Sequence, residues 1–353
     1  GEEWQVHGGG FYHIQKYMVA PDRLPEDLTW FKWESYATWL SGFALLVLVY
    51  YLGAEFYLID LNVMELAVWQ AVLISVGSLV FGWVAYDLIC KSSLGRNNTQ
   101  LMVLLYGLLV VMAWGYTLVF TGRAALLHLG AFTATIMSAN VFMIIIPNQK
   151  IVVADLKAGR TPDAKYGVFA KQRSTHNNYL TLPVLFLMLS NHYPLAFASE
   201  YNWLIAALVF LMGVTIRHFF NTMHAKGGMP WWTWGATAAI FAAIVALSVA
   251  PMFREQEQAM TPAAQRFAAA PQFEEVVAIV QGRCSMCHAE TPAWDGLHWA
   301  PKGVRLESDA DIAHHAREIY LQSGVSHAMP PGNLSWMEAE ERALLVAWFQ
   351  NHR

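Results

Sequence analysis

Charge is what this 353-residue chain lacks most: Asp, Glu, Lys and Arg make up only 14% of it, against roughly a quarter of an ordinary soluble domain. Hydrophobic residues supply 56%, which argues against a single water-soluble globule. The 22 basic and 26 acidic residues leave a formal charge of −4, and no basic stripe interleaved with aromatics runs through the chain, so nucleic acid is excluded as a partner. Cysteine is scarce too. Three residues cannot build a disulfide framework, and two of them, Cys284 and Cys287, share one motif. The third, Cys90, sits beside Lys91 at the end of an apolar run, where a packed, inert thiol is the simpler account. No serine or cysteine hydrolase signature and no Walker-type loop is present, which removes support for hydrolysis and nucleotide chemistry. No secretory signal peptide is visible either: the sequence opens on Gly1 and its first 35 residues hold nine charges, so the expectation is that the start has been removed or that the sequence begins downstream of it.

Long apolar runs, by contrast, are abundant. Seven are long enough to cross a bilayer, which takes about 20 helical residues: 36–59, 66–90, 101–120, 124–146, 179–198, 203–220 and 231–252. Each helix satisfies its own backbone in lipid, so the expected fold is all-α, with a polytopic helical membrane bundle over residues 1–252. Composition shifts after Met252. Residues 253–271 are polar and alanine-rich, with Pro262 and Pro271, and read as a linker; residues 272–353 have the charge density of a small soluble domain. In that domain Phe273 to Gln281 reads as a helix. Ser335 and Glu338 form a capping-box pattern opening another, with Leu344, Leu345 and Trp348 on one face.

Orientation follows from the basic residues. Placing the small domain outside assigns Lys16, Arg23, Lys32, Lys91, Arg96, Lys150, Lys157, Arg160, Lys165, Lys171, Arg173 and Lys226 to the cytoplasmic side. Only Arg123 and Arg254 fall on the other side. That asymmetry obeys the positive-inside rule.

The strongest chemistry lies at Cys284-Ser-Met-Cys287-His288. Two thiols at this spacing add across porphyrin vinyl groups and the adjacent imidazole binds iron, the attachment pattern of a c-type haem. A zinc site would need a second ligand pair, and no further Cys-x-x-Cys exists. Met329, in a Pro- and Gly-rich loop, is the expected second iron ligand; thioether ligation raises the potential and suits electron acceptance. His298, His314, His315 and His327 compete for that role. Covalent haem attachment in bacteria takes place outside the cytoplasmic membrane, so the domain is expected in the periplasm.

Ionisable groups at membrane depth are costly and are functional candidates by default. Glu55, Asp87, His128, His192, Arg217 and His218 qualify, the first two and His192 near helix ends where snorkelling also accounts for them. Hydrogen-bonding groups concentrate in two segments, His176-Asn177-Asn178-Tyr179-Leu-Thr181 and Arg217-His218-Phe-Phe-Asn221-Thr-Met-His224, with Asn140, Asn148 and Gln149 placed to join them. Amides and a guanidinium together suit a flat, amide-rich anion; ordinary interhelical hydrogen bonding is the competing account. His7-Gly-Gly-Gly10 is either a close backbone approach or a plain turn.

Three stretches carry a family resemblance: His7-Gly-Gly-Gly-Phe-Tyr12, Trp30-Phe-Lys-Trp-Glu34, and the long segment from His176-Asn-Asn-Tyr to Asn191-His192-Tyr-Pro194. They resemble the bacterial membrane-bound urate oxidases, which fuse a multi-helix membrane domain to a carboxy-terminal cytochrome c. The resemblance implies a class I cytochrome c domain at the carboxy end and oxidation of urate to 5-hydroxyisourate. It also implies that electrons pass through the haem to the respiratory chain, to a cytochrome c or terminal oxidase, without hydrogen peroxide. It makes His176, Asn177, Asn178 and His192 the candidate site, with Arg217 and His218 added on physical grounds. Family members begin with one more membrane helix bearing a Leu-His pair, which Leu127-His128 resembles. A second, b-type haem or metal held by His128 is one account of that similarity, and a packed, hydrogen-bonded histidine is the other. A cytoplasmic-side pocket would lie far from an outer haem, so His192, Tyr193, His128 and Arg123 form an alternative, outer pocket.

The expected activity is therefore a membrane-bound, cytochrome-linked urate oxidase of the bacterial inner membrane, in contact with lipid. Its rivals are a non-catalytic, quinol-linked electron-transfer anchor and an organic-anion carrier, the latter disfavoured by the missing inverted-repeat signature.

Overall fold

Backbone groups in lipid have no water to bond, and helices make up 71% of the structure. The computed structural model describes residues 2–17, 21, 24–250 and 260–353. The chain opens with a hairpin of β1 (Glu2–His7) and β2 (Gly10–Gln15), paired antiparallel with Trp4 opposite His13. Gly8 and Gly9 take the left-handed φ values of +58° and +80° that a two-residue hairpin turn demands. The triple glycine is thus a turn, and the hairpin is a small β element that the all-α expectation lacked.

The membrane unit contains α1 (Trp33–Leu46), α2 (Val68–Lys91), α3 (Asn98–Thr117), α4 (Gly122–Ala139), α5 (Ile146–Lys157), α6 (Ala164–Leu189), α7 (Asn202–His224) and α8 (Trp232–Val249). A π-helical segment, Asn140–Ile145, joins α4 to α5 without a break. Side-chain caps start several of them: Asn97 accepts from the Thr99 and Gln100 amides, Thr121 from Ala124, Asp163 from Lys165. Among the described residues five helices are long and apolar enough to cross a membrane: Val68–Lys91, Asn98–Thr117, Gly122–Lys157, Asn202–His224 and Trp232–Val249.

The other two runs expected to span have a different build. Residues 36–59 fold as α1 and a π-helical turn to Tyr51, after which the chain bends at Gly53. The run 179–198 is split between the second half of α6, a 3-10 turn at Ser190–His192 and a short helix at Pro194–Phe197, while the first half of α6 carries Lys165, Lys171, Arg173, His176, Asn177 and Asn178 and is too polar to count as membrane helix. Met252, Arg254, Arg23 and the first part of the expected linker lie outside the described residues.

The helices are apolar on all sides, as lipid requires. Leu73, Leu88 and Val103 are more than 60% exposed, while Leu79, Leu105, Phe132, Leu187 and Phe210 fill the bundle core. Between α6 and α7 the backbones come close: a Cβ on Gly213 would stand 2.6 Å from Pro183 Cδ, so only glycine fits there.

The carboxy-terminal unit holds α9 (Pro262–Ala268), α10 (Phe273–His288), α11 (Asp309–His314) and α12 (Ala339–His352). Part of the stretch read as linker is therefore helix: Phe267 of α9 is buried and stacks on Phe349 at 5.4 Å. The last helix is capped one turn later than expected, by Glu338 with Glu341. Ser335 is drawn away because its carbonyl accepts from Arg283 Nη1 at 2.8 Å. Leu345 and Trp348 are fully buried, as their spacing requires.

This unit seats on residues 55–65, which the Thr121 amide and hydroxyl pin through the Leu58 and Tyr57 carbonyls. Asn62 Nδ2 donates to the His314 carbonyl at 3.1 Å, Thr261 Oγ1 donates to Asn62 Oδ1, Arg353 pairs with Glu55 at 2.8 Å, and Arg266 pairs with Glu65. Burial pushes the Asp60 carboxyl above its usual range, and Glu318 adds to that; the Asn62 amide, Arg317 and His314 oppose it.

Candidate functional site

The polar groups of the bundle gather at two levels. The first lies where α2, α4 and α6 meet. Tyr86, one turn before the end of α2, has its hydroxyl 2.7 Å from His176 Nδ1. Asn140, at the start of the π-helical segment, donates to the same hydroxyl at 3.1 Å and to Asn177 Oδ1 at 2.9 Å. Asn177 Nδ2 donates in turn to the Met137 carbonyl at 2.9 Å. Arg173 lies over the Tyr86 ring, 4.8 Å from its centroid, and pairs with Asp87 at 2.7 Å; Lys91 takes the other Asp87 oxygen at 2.6 Å.

Three features make this level the candidate ligand site. Tyr86, Asn140, Arg173 and His176 are all buried. Two buried atoms, Asn140 Oδ1 and Arg173 Nη1, have no hydrogen-bond partner among the described residues. Unpaired buried polar atoms are rare because each costs about 1–3 kcal/mol, and their concentration marks where a ligand's own donors and acceptors complete the pairing. Lastly, His176 bonds Tyr86 through Nδ1, leaving Nε2 with no hydrogen bond among the described residues.

The structure brings together His176 and Asn177 of the expected set, with Asn140. Asn178, one residue on, turns to the other side of α6, where its Oδ1 accepts from Asn221 Nδ2 at 2.9 Å. Beside it Tyr179 and His218 Nδ1 are 3.2 Å apart, and Arg217 Nε is buried without a partner among the described residues. Asn178, Arg217 and His218 thus line an α6–α7 seam at the same level. His192 is exposed, beyond the far end of α6 from His176. Tyr86 and Arg173 were missed as site residues. Tyr86 reads as one more aromatic in an apolar run, and Arg173 as a solvated loop charge.

The second level centres on His128, fully buried. Its Nδ1 is 2.8 Å from the Ala124 carbonyl, which can only accept, so Nδ1 carries the hydrogen. Its Nε2 therefore accepts from Ser75 Oγ at 2.8 Å, and Ser75 accepts from the Tyr51 hydroxyl at 2.7 Å. Rings of Phe120, Tyr50 and Tyr116 surround it at 4.8, 5.7 and 5.8 Å. With both nitrogens engaged, His128 does not fit as the axial ligand of a b-type haem unless Ser75 is displaced. Arg123 and Asn191 meet nearby at 3.0 Å, with the Tyr50 hydroxyl donating to the same amide oxygen.

In the carboxy-terminal unit the Cys284–His288 motif forms the end of α10. Cys284 and Cys287 are free thiols one helical turn apart. His288 Nδ1 lies 2.8 Å from the Val304 carbonyl, which fixes the hydrogen on Nδ1 and leaves the Nε2 lone pair for a metal. Met329 is half-buried in a loop that Arg342 clamps through the Met329 carbonyl at 2.9 Å and the Ser323 carbonyl at 2.5 Å. The Trp294 amide bonds back to the Met286 carbonyl, and Arg283 holds Ser335 next to Trp336, which is 80% exposed. Apolar surface left open around paired thiols and an oriented imidazole fits a porphyrin. Among the described residues no three His, Cys, Asp or Glu side chains converge on a metal centre, and a haem iron needs none beyond its axial ligands. Of the competing ligands, His298 and His327 are exposed, His314 bonds Asn62 through its carbonyl, and His315 lies 3.9 Å from Glu318.

No curated protein and no solved structure matches the chain. A family model described as Urate oxidase N-terminal matches residues 1–248, which covers the membrane unit and both of its polar levels. The chain therefore belongs to the urate oxidase N-terminal family.

Proposed function

We propose that the protein is a cytochrome-linked urate oxidase of the bacterial inner membrane. Its membrane unit oxidises urate to 5-hydroxyisourate, and its carboxy-terminal unit is a class I cytochrome c domain in the periplasm. The observation that carries this reading is the family match over the membrane unit, joined in one chain to a Cys-x-x-Cys-His helix whose histidine has its metal-facing nitrogen free. The balance is simple: the urate anion and water give 5-hydroxyisourate, one proton and two electrons.

Urate is flat, anionic and edged with alternating carbonyl and N–H groups. Arg173 Nη1 donates to a carbonyl edge, Asn140 Oδ1 accepts from a ring N–H, and both are the atoms left unpaired in the site. Tyr86 governs His176. When Nδ1 donates to the phenol oxygen, Nε2 is free to take the proton released as water adds. Cys284 and Cys287 would hold the porphyrin, with His288 and Met329 on the iron. When bound, such a haem supplies a one-electron acceptor of raised potential, so each urate requires two transfers. Onward electron flow goes to a respiratory cytochrome c or terminal oxidase.

About 27 Å of α2 separates Tyr86 from Val68 at the seat of the carboxy-terminal unit. Rings continue part of the way: His128 to Tyr50 at 5.7 Å, Tyr50 to Tyr57 at 6.4 Å, Tyr57 to Phe56 and Phe56 to Tyr320 at 6.5 Å each. In aerobic turnover with an added cytochrome acceptor, urate loss should equal half the acceptor reduced, with no hydrogen peroxide. Stoichiometric peroxide would refute the electron route.

A further inference from the structure

A cavity of about 260 Å³ lies between the two units. From this cavity we infer a second binding site, independent of the His176 site, for a flat ring bearing carbonyl oxygens.

Two walls are aromatic. Phe56, from the membrane unit, and Tyr320, from the carboxy-terminal unit, are nearly parallel, 19° apart, with centroids 6.5 Å apart. The next step of the same stack, Tyr320 to Phe349, closes to 4.4 Å at 12°. Carbon atoms in contact lie about 3.5–4 Å apart, so one ring between two others needs about 7 Å. The Phe56–Tyr320 step falls a little short of that, so a ring enters only after a small opening, and the cavity is lined by both of these side chains.

The rim supplies the polar half of the recognition. Arg317 reaches the Phe56 carbonyl through Nη2 and Glu318 through Nη1 at 3.2 Å, but its buried Nε has no partner among the described residues. Arg353 lines the same cavity and is tied to Glu55. An unpaired guanidinium N–H beside an aromatic slot donates to a ring carbonyl and stacks poorly hydrated rings at the same time. Glu55 disfavours ligands of high negative charge, which points to a neutral or singly charged ring.

Two sources carry this chemistry. A urate-like anion would enter from water. A quinone would enter from lipid, past the apolar start of α2, where Val68 lines the cavity and Trp69 is 66% exposed.

Equilibrium dialysis of the full chain in detergent, with labelled urate and separately with a short-tailed benzoquinone, tests the site. Wild type should bind either a second equivalent of urate per chain, beyond the one at the His176 site, or one equivalent of the quinone, and Tyr320→Leu and Arg317→Gln should each weaken that equivalent at least tenfold. Tyr320→Phe, which keeps the ring, should bind within twofold of wild type, and a Tm of the leucine variant equal to that of wild type shows that its loss of binding is not loss of fold. Loss of the second urate identifies the aqueous source and loss of quinone the lipid source. Absence of both the second urate and the quinone from wild type, or affinities for that equivalent that Tyr320→Leu and Arg317→Gln leave within twofold, overturns the proposal.

Discussion

The Tyr86 hydroxyl stands 2.7 Å from His176 Nδ1, and both residues are buried in the bundle. One phenol thereby orients the histidine ring and receives the Asn140 amide. Tyr86→Phe keeps the ring under Arg173 and removes only that control. The expected result is a fall in kcat of about tenfold, the worth of one hydrogen bond, together with a loss of about 1–3 kcal/mol of stability because His176 Nδ1 is left buried without a partner. His176→Gln should cost about 100- to 10,000-fold, the range of a lost general base. Steady-state urate consumption in detergent measures both.

Arg173 is 4% exposed and Asp87 15% in their ion pair. Removing Arg173 leaves Asp87 with Lys91 alone, so Arg173→Gln should destabilise the protein by about 1.5–3 kcal/mol, the worth of a charge-assisted hydrogen bond. The double change Arg173→Met with Asp87→Leu should recover part of that loss. Thermal unfolding of the three proteins decides it, and a double variant as unstable as the single one would contradict the buried-charge account.

Asp60 supplies a pH dependence. Its folded-state pKa is raised by burial, so its contribution favours the folded protein below that pKa and is lost as pH rises through it. Asp60→Asn keeps an oxygen for the Asn62 amide, which now bonds Oδ1 at 2.9 Å. The variant should have a higher Tm than wild type at pH 8, and the gap should close as pH falls towards the ordinary carboxylate range. A gap that widens on acidification would reverse the sign.

The proposed haem ligands separate cleanly. Cys284→Ser with Cys287→Ser should abolish haem that survives denaturing electrophoresis. Met329→Ala should keep covalent haem but lower its potential and remove the sulfur-to-iron absorption band. A band that persists would assign the ligand elsewhere.

Much of this architecture was legible because hydropathy and a short motif are local signals. The five apolar helices stand where their residues said, and the helix read over Phe273 to Gln281 runs on through the Cys284–His288 motif. The site was legible only in part because it is assembled from residues far apart in sequence, 86 on α2, 140 after α4, and 173 to 177 on α6. Consecutive residues on a helix point about 100° apart, which is why Asn177 joins Tyr86's cluster while Asn178 turns to Asn221. Spacing along one chain segment cannot show which neighbour each face meets. The hairpin carried a readable sign, Gly8-Gly9 between stretches with aromatics, but its strands are short and exposed. Ser335 looked like a cap until Arg283 claimed its carbonyl.

The most direct measurement mixes oxidised, haem-loaded protein with urate under anaerobic conditions and follows the absorption spectrum. Full conversion to the ferrous spectrum at half an equivalent of urate per haem, abolished by His176→Gln, is the predicted result. A spectrum that stays ferric through excess urate, while quinol reduces it, would contradict the account and favour an electron-transfer anchor with no purine chemistry.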